Sequence, residues 1–437
     1  MSIRNFFRSS PSLFLLFIIG PCVSSAQNDR LWGSYYGGTG SDWGYSVATD
    51  VSGNVFLTGR TRSTSGIASG GYQNTFGGGS FVDDAFLVKF DSAGNRIWAT
   101  YYGGIDNDIG SSVTADPSGN VYLAGYTKST SGMASGGFQN TIGGGTDAFL
   151  AKFDLSGNLL WATYYGGSGF DQALSVVTDP SGNVYMTGRT QSANGISSSG
   201  FQANFGGGSN DAFLVKFDSS GNRIWATYYG GTGNEWGFNV ATDASGKVYL
   251  SGQTTSSSGI SFNGFKNTIG GGFDAFLVKF DSTGNRIWAT YYGGAGEDGN
   301  VNGGSNMSIS TDASGNVYLG GSTTSITGIA SGGFQNTFGG GIYDAFLVKF
   351  DSSGSRLWAT YYGGSGIGGL SEYGYGVATD ASGNVYLGGC TYSYAGIAFG
   401  GFKNNFMGTD ADQFLVKFDS NGTRLCATYY GQNSNEY

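Results

Sequence analysis

The 437-residue chain has no histidine, three cysteines and four prolines, and only 12% of its residues are charged. Without imidazole there is no Ser-His-Asp or Cys-His activation of a nucleophile, no histidine general base and no histidine-built zinc site. Scarce proline beside 82 glycines, 28 tyrosines and 32 phenylalanines suits short strands and glycine turns rather than helices. The same aromatic and β-branched content excludes disorder.

Long hydrophobic runs are also missing, except at the N-terminus. There Arg4 and Arg8 precede an apolar stretch from Leu13 to Ile19 and a small-residue site at Ser24-Ser25-Ala26, the pattern of a secretory signal peptide. Residues 1–26 are therefore expected to be removed, leaving residues 27–437 as one domain, secreted or held in the cell envelope. A lipid on Cys22 is the alternative, but Pro21 sits badly for that motif. The apolar run is too short to span a bilayer, and no transmembrane segment is expected after cleavage.

Loss of Arg4 and Arg8 takes the formal charge from -9 to -11, which makes nucleic acid and anionic membranes poor partners. It also removes Cys22, leaving Cys390 and Cys426. Within one four-stranded unit an intervening strand would hold these two beyond disulfide reach, so no disulfide is expected.

What the chain does have is a repeat. Trp32, Trp98, Trp161, Trp225, Trp288, Trp358 and Cys426 head copies of the phrase W-A-T-Y-Y-G-G, with spacings of 66, 63, 64, 63, 70 and 68 residues. Each unit holds four strand-like phrases, in the first unit residues 45–50 (A), 54–61 (B), 84–91 (C) and 95–104 (D). A–B and C–D are joined by turns such as "DASGN" and "DSSGN", whose glycine is suited to positive φ. Four antiparallel strands repeated about an axis describe a β-propeller blade, and nothing in the unit has a helical period.

The phrases "DAFLVKFDSSGNRIWATYYGG" and "VATDASGNVYLSGQT" resemble the bacterial SBBP-type β-propeller repeat, over essentially all of residues 30–431. The resemblance implies the all-β propeller fold and export, and says almost nothing about activity. Six sets of A, B and C favour six blades, with seven as the alternative suggested by the family. D phrases stand at both ends, so N- and C-terminal strands are expected to close the ring.

Several other motifs invite a chemical reading. The D-x-S-G-N turns faintly suggest calcium loops, yet each supplies one carboxylate, and capping of an Asx turn accounts for it. The "GGG" runs before strand C lack a following helix and a G-K-[S/T], so they are not phosphate loops. The W-A-T-Y-Y aromatics are assigned to blade packing rather than to ligand stacking. No metal site and no resident cofactor is expected, calcium being the one ion considered.

Six acids occupy equivalent places after the D phrases: Asp42, Asp108, Asp171, Glu235, Asp298 and Glu372. If A is the innermost strand, they are expected to ring one mouth of the channel as a negative rim for a cation, a basic peptide or a glycan. Capping of their own turns is the competing reading. In the long B–C loops an aromatic (Tyr72, Phe138, Phe201, Phe265, Phe334, Phe402) anchors the loop, leaving Gln73, Asn74, Gln139, Asn140, Gln335 and Asn336 for polar recognition. The expected function is an exported non-catalytic scaffold binding an extracellular protein, peptide or glycan. A carboxylate-based hydrolase or lyase acting on polysaccharide, with Glu297 beside Asp298 or Asp106 beside Asp108, is the enzymatic alternative. A structural envelope role is the third.

Overall fold

The computed structural model describes residues 32–299, 307–364, 371–406 and 411–431. The expected signal peptide, Cys22 and most of the insertion after Asp298 lie outside them. The described chain is all strand and loop, arranged as six blades.

Blade 1 comprises β1 (Asp42–Thr49), β2 (Val55–Thr61), β3 (Asp84–Phe90) and β4 (Arg96–Tyr102) in spatial order β1-β2-β3-β4. Blade 2 is β5 (Asp108–Ala115), β6 (Val121–Thr127), β7 (Asp147–Phe153) and β8 (Leu159–Tyr165), and blade 3 is β9 (Asp171–Thr178), β10 (Val184–Thr190), β11 (Asp211–Phe217) and β12 (Arg223–Tyr229). Blade 4 is β13 (Glu235–Thr242), β14 (Val248–Thr254), β15 (Asp274–Phe280) and β16 (Arg286–Tyr292). In blade 5 strand A is split into β17 (Asp298–Gly299) and β18 (Ser308–Thr311), followed by β19 (Val317–Thr323), β20 (Asp344–Phe350) and β21 (Arg356–Tyr362). Blade 6 is β22 (Glu372–Thr379), β23 (Val385–Thr391), β24 (Asp412–Phe418) and β25 (Arg424–Tyr430).

All pairings between these strands are antiparallel, and three-residue hairpins, closed in blade 1 by Asp50 with Asn54 and by Asp91 with Asn95, join A to B and C to D. Asp116 shows the turn chemistry: its Oδ1 accepts from the amides of Ser118 and Asn120, and Gly119 has φ of 84°. Thus the D-x-S-G-N carboxylates are spent on Asx turns, as capping requires.

The A strands adjoin one another around the axis, and their threonines link them. Thr242 donates to the carbonyl of Thr178, Thr311 to that of Thr242 and Thr379 to that of Thr311, at 3.1, 2.9 and 2.8 Å. The B–C loops run back along the outer strand: Ser69 and Ala99 exchange backbone hydrogen bonds at 2.8 Å, and Tyr101 N donates to Gln73 O at 3.0 Å. Each D edge is thereby covered by its own loop, which removes a row of unpaired backbone groups.

Blades pack face to face. Strand alternation sends Ala48, Phe56, Leu87, Trp98 and Tyr102 of blade 1 against Val113, Leu123, Phe149 and Phe153 of blade 2 in one buried cluster. Equivalent clusters join blades 2 and 3, 3 and 4, 4 and 5, and 5 and 6. Trp98 and Tyr102 are 3% and 0% exposed, so these rings are core.

The tryptophan is also a clasp. Trp98 Nε1 donates to Leu155 O in the C–D turn of blade 2 at 3.0 Å, and Trp161, Trp225, Trp288 and Trp358 repeat the bond to Ser219, Ser282, Ser352 and Ser420. The lysine of the preceding C strand shares that carbonyl, as Lys152 does on Ser219 at 2.9 Å. A Cβ on Gly157 would lie 2.8 Å from the Trp98 ring, so the turn glycine is required by the indole as well as by its φ of 84°.

The N-terminal D phrase takes this same role without entering a sheet. Trp32 Nε1 donates to Ser92 O at 3.1 Å and Tyr36 Oη to Ile67 O at 2.7 Å, so residues 32–38 cover the leading face of blade 1 as a preceding outer strand would. Among the described residues this segment pairs with no strand, and blade 6 completes itself with β25.

The expectation about disulfides is corrected. Cys390 is a buried free thiol, but Cys426 is disulfide-bonded.

Candidate functional site

The six aligned acids are not loop residues. Each is the first residue of strand A, and alternation turns its side chain inward, so that Asp108, Asp171, Glu235, Asp298 and Glu372 are 0% exposed and Asp42 6%. They form no open rim facing solvent. The reason lies one strand away, where every B strand ends in T-x-S: Thr61/Ser63, Thr127/Ser129, Thr190/Ser192, Thr254/Ser256, Thr323/Ser325 and Thr391/Ser393.

Asp108 accepts from Thr127 Oγ1, from Ser129 Oγ at 2.9 Å and from the amide of Gly104 at 2.7 Å. Asp171 and Asp298 repeat the set with Thr190, Ser192 and Gly167, and with Thr323, Ser325 and Gly294. Asp42 does so with Thr61, Ser63 and Gly38. Where the longer glutamate stands, Glu235 accepts from Thr254 at 2.6 Å and Gly231 at 2.8 Å, and Glu372 from Thr391 at 2.8 Å and Gly364 at 3.3 Å. The amide in each case belongs to the second glycine of Y-Y-G-G.

A second carboxylate faces each of five of these acids. It is the aspartate that opens strand C of the preceding blade: Asp84 toward Asp108, Asp147 toward Asp171, Asp211 toward Glu235, Asp274 toward Asp298 and Asp344 toward Glu372. The first glycine of Y-Y-G-G lies between them. A Cβ on Gly103 would stand 2.7 Å from Asp84 Oδ1 and 2.9 Å from Asp108 Oδ2, and one on Gly230 would stand 2.6 Å from both Asp211 Oδ1 and Glu235 Oε2. The glycine therefore leaves room for two acids to meet.

Burial, reinforced by the neighbouring carboxylate, pushes Asp84, Asp211 and Asp344 up to about 7 and Asp147 up to about 6. Burial likewise raises Asp108 and Asp298 to about 6 against the pull of their Thr and Ser donors. The C-strand aspartates were missed from the sequence, although "D-A-F-L" opens strand C in five units and "D-Q-F-L" in the sixth. Their recurrence was the available signal.

The glycine runs serve this site. The amides of Gly77, Gly143, Gly206, Gly270 and Gly339 donate to Asp84, Asp147, Asp211, Asp274 and Asp344 at 2.6 to 2.9 Å. They cradle an anion after all, but it is the chain's own carboxylate.

The loop residues divide in two. Gln73, Gln139 and Gln335 are fastened, their Nε2 donating to Thr75, Thr141 and Thr337 carbonyls and their Oε1 accepting from Gly103, Gly166 and Gly363. They are not free for recognition. Asn74, Asn140 and Asn336 are exposed, each donating to a loop carbonyl. The loop aromatics clamp the next blade: Arg223 lies 4.3 Å over Phe138, Arg286 4.3 Å over Phe201 and Arg424 4.3 Å over Phe334. Asp106 and Glu297, the candidates for a second catalytic acid, are exposed beside buried Asp108 and Asp298, so neither neighbouring pair shares one cleft. No group of three or more Cys, Asp or Glu suited to a metal occurs among the described residues.

On the outer edge, the residue before Trp98, Trp161, Trp225, Trp288, Trp358 and Cys426 faces solvent. Ile97, Leu160, Ile224, Ile287, Leu357 and Leu425 are 38 to 52% exposed, forming one apolar position repeated on every blade.

The chain is 24% identical over 500 residues to an uncharacterized WD repeat-containing protein, L264, of Acanthamoeba polyphaga mimivirus, covering 96% of this chain and 35% of that protein. It is 28% identical over 304 residues to the regulatory protein FlaEY of Caulobacter vibrioides, covering 65% of this chain and 30% of that protein. The chain thus spans about a third of the length of these curated relatives. Among solved structures, a protein of unknown function from Dyadobacter fermentans matches at 9% identity and a TM-score of 0.41, over 82% of this chain and 93% of that one. BamB from Moraxella catarrhalis matches at 14% identity and a TM-score of 0.33, over 93% and 98%. The β-propeller repeat family SBBP matches residues 31–66, 97–132 and 160–196, each match running from a tryptophan-headed phrase through strand B of the blade that follows it. Three stretches of this six-bladed chain therefore match the SBBP β-propeller repeat.

Proposed function

We propose that this protein is an exported, non-catalytic binding scaffold whose ligand is an extracellular protein, peptide or glycan. The observation that carries the reading is the outer belt: one aliphatic side chain per blade, exposed at the same place six times, beside the exposed loop asparagines. Scattered apolar residues on a surface mean little, but the same position left apolar in every repeat offers a multivalent perimeter. Burial of the carboxylates argues in the same direction, since a hydrolase reading needs two acids in contact with a substrate. Export rests on the leader pattern in residues 1–26.

The test is retention of a ligand by the purified chain on glycan arrays and in pull-downs from envelope extracts, repeated with Ile224→Asp, Ile287→Asp and Leu357→Asp combined. Loss of the retained ligand in the folded triple variant is expected. Retention unchanged by it, or no ligand across both screens, would sink the reading.

A further inference from the structure

The five carboxylate pairs are not equally satisfied, and loop length decides which are. In blades 2 and 4 the run reads "GGGTD" and "GGGFD", which brings a second amide onto the aspartate: Gly144 N donates to Asp147 Oδ1 at 3.0 Å and Gly271 N to Asp274 Oδ1 at 3.1 Å. In blades 1, 3 and 5 it reads "GGGSFVDD", "GGGSND" and "GGGIYD", one or more residues longer before the aspartate. There Asp84 Oδ1, Asp211 Oδ1 and Asp344 Oδ1 are buried with no hydrogen-bond partner, on residues that are 0% exposed. These oxygens point at the bare Cα of Gly103, Gly230 and Gly363; the first two spaces are shared with Asp108 and Glu235, and the charge of Glu372 acts on Asp344.

Blade 4 displays what such a place attracts. Lys266 stands where blades 1, 3 and 5 have Gln73, Gln202 and Gln335, and its ammonium lies 2.9 Å from Asp274 Oδ2 and 2.7 Å from Gly293 O. The carbonyls equivalent to Gly293 O belong to Gly103, Gly230 and Gly363, and the glutamines that replace the lysine bring no charge. Two buried carboxylates without a counter-charge are costly, and a cation with oxygen ligands offsets that cost.

We propose that the seams between blades 1 and 2, 3 and 4, and 5 and 6 each bind one hard cation between the facing carboxylates, Asp84 with Asp108, Asp211 with Glu235 and Asp344 with Glu372. The carbonyls of Gly103, Gly230 and Gly363 complete the protein's share of oxygen ligands. Blades 2 and 4 supply their own donors and take none. The ions pin alternate seams, so that occupancy stiffens the ring without touching the outer belt.

Calcium titration of the full chain at pH 8 by calorimetry, with terbium luminescence sensitised by Tyr101, Tyr228 and Tyr361, tests this. Three equivalents of calcium per chain are expected. Gln202→Lys, which copies Lys266, is expected to lower the count to two, as is Asp211→Asn, and Gln73→Lys/Gln202→Lys/Gln335→Lys to bind none while keeping its fold in calcium-free buffer. No calcium binding by the unmodified chain at pH 8, or three equivalents still bound by the triple variant, overturns the proposal.

Discussion

The indole of Trp32 donates to the carbonyl of Ser92 at 3.1 Å, the bond that Trp98 makes to Leu155 one blade later. A segment outside any sheet thus engages blade 1 by the rule that joins every later pair of blades. In a repeat fold each interface is a nearest-neighbour term, so a lost clasp acts at one seam. Trp225→Ala, at a fully packed seam, is expected to destabilise by about 3–5 kcal/mol. Trp225→Phe, which keeps most of the ring but loses the hydrogen bond, should cost about 1–2 kcal/mol. Trp32→Ala should cost less than Trp225→Ala because its ring is only half-buried. Urea melts of the three variants check the order.

The two kinds of glycine should respond oppositely to alanine. Gly230→Ala drives a methyl group to within 2.6 Å of both Asp211 and Glu235 and is expected to cost about 1–3 kcal/mol. Gly272→Ala, with no atom within 4 Å of the new Cβ, should be neutral or stabilise by up to about 1 kcal/mol. Equal losses at both positions, measured by thermal denaturation, would show that the acid pair does not set the need for glycine.

Stability without added cation should fall as pH rises from about 4 to about 8. Asp84, Asp211 and Asp344 are raised to about 7 in the fold against an unfolded value near about 4. Between those values the folded chain holds more protons than the unfolded one, so the contribution is complete below the lower value and is lost through the upper. Asp84→Asn combined with Asp211→Asn should flatten the profile, read from melting temperature across that range.

The T-x-S donors should matter most where both touch one acid. Ser192→Ala removes a 2.7 Å bond from a fully buried Asp171 and is expected to cost about 1–3 kcal/mol. Ser256→Ala should cost less, because Glu235 takes its hydroxyl partner from Thr254 and Ser256 bonds instead to the amide of Gly233. Parallel melts of the two variants decide between them.

Much of the fold was legible before any coordinates. Alternation in W-A-T-Y-Y marks a half-buried strand, and D-x-S-G-N marks a hairpin, because both patterns are set within a few neighbouring residues. The equivalence of Asp42, Asp108, Asp171, Glu235, Asp298 and Glu372 was also legible, since repetition aligns them. Their exposure was not. Asp108 is one residue past a loop, and only the pairing of Asp108 with Thr127 across strands A and B turns it into the protein.

The sequence, then, decided the repeat, the strand order, the turn glycines and the need for a tryptophan at each seam, all of them local or periodic demands on backbone and packing. Tertiary structure decided which acids meet. Asp84 and Asp108 belong to different blades and come together only when blade faces pack, and the buried Asp211 Oδ1 is left without a hydrogen-bond partner only in the folded seam. Those are matters of distance in space, which the order of residues along a chain does not record.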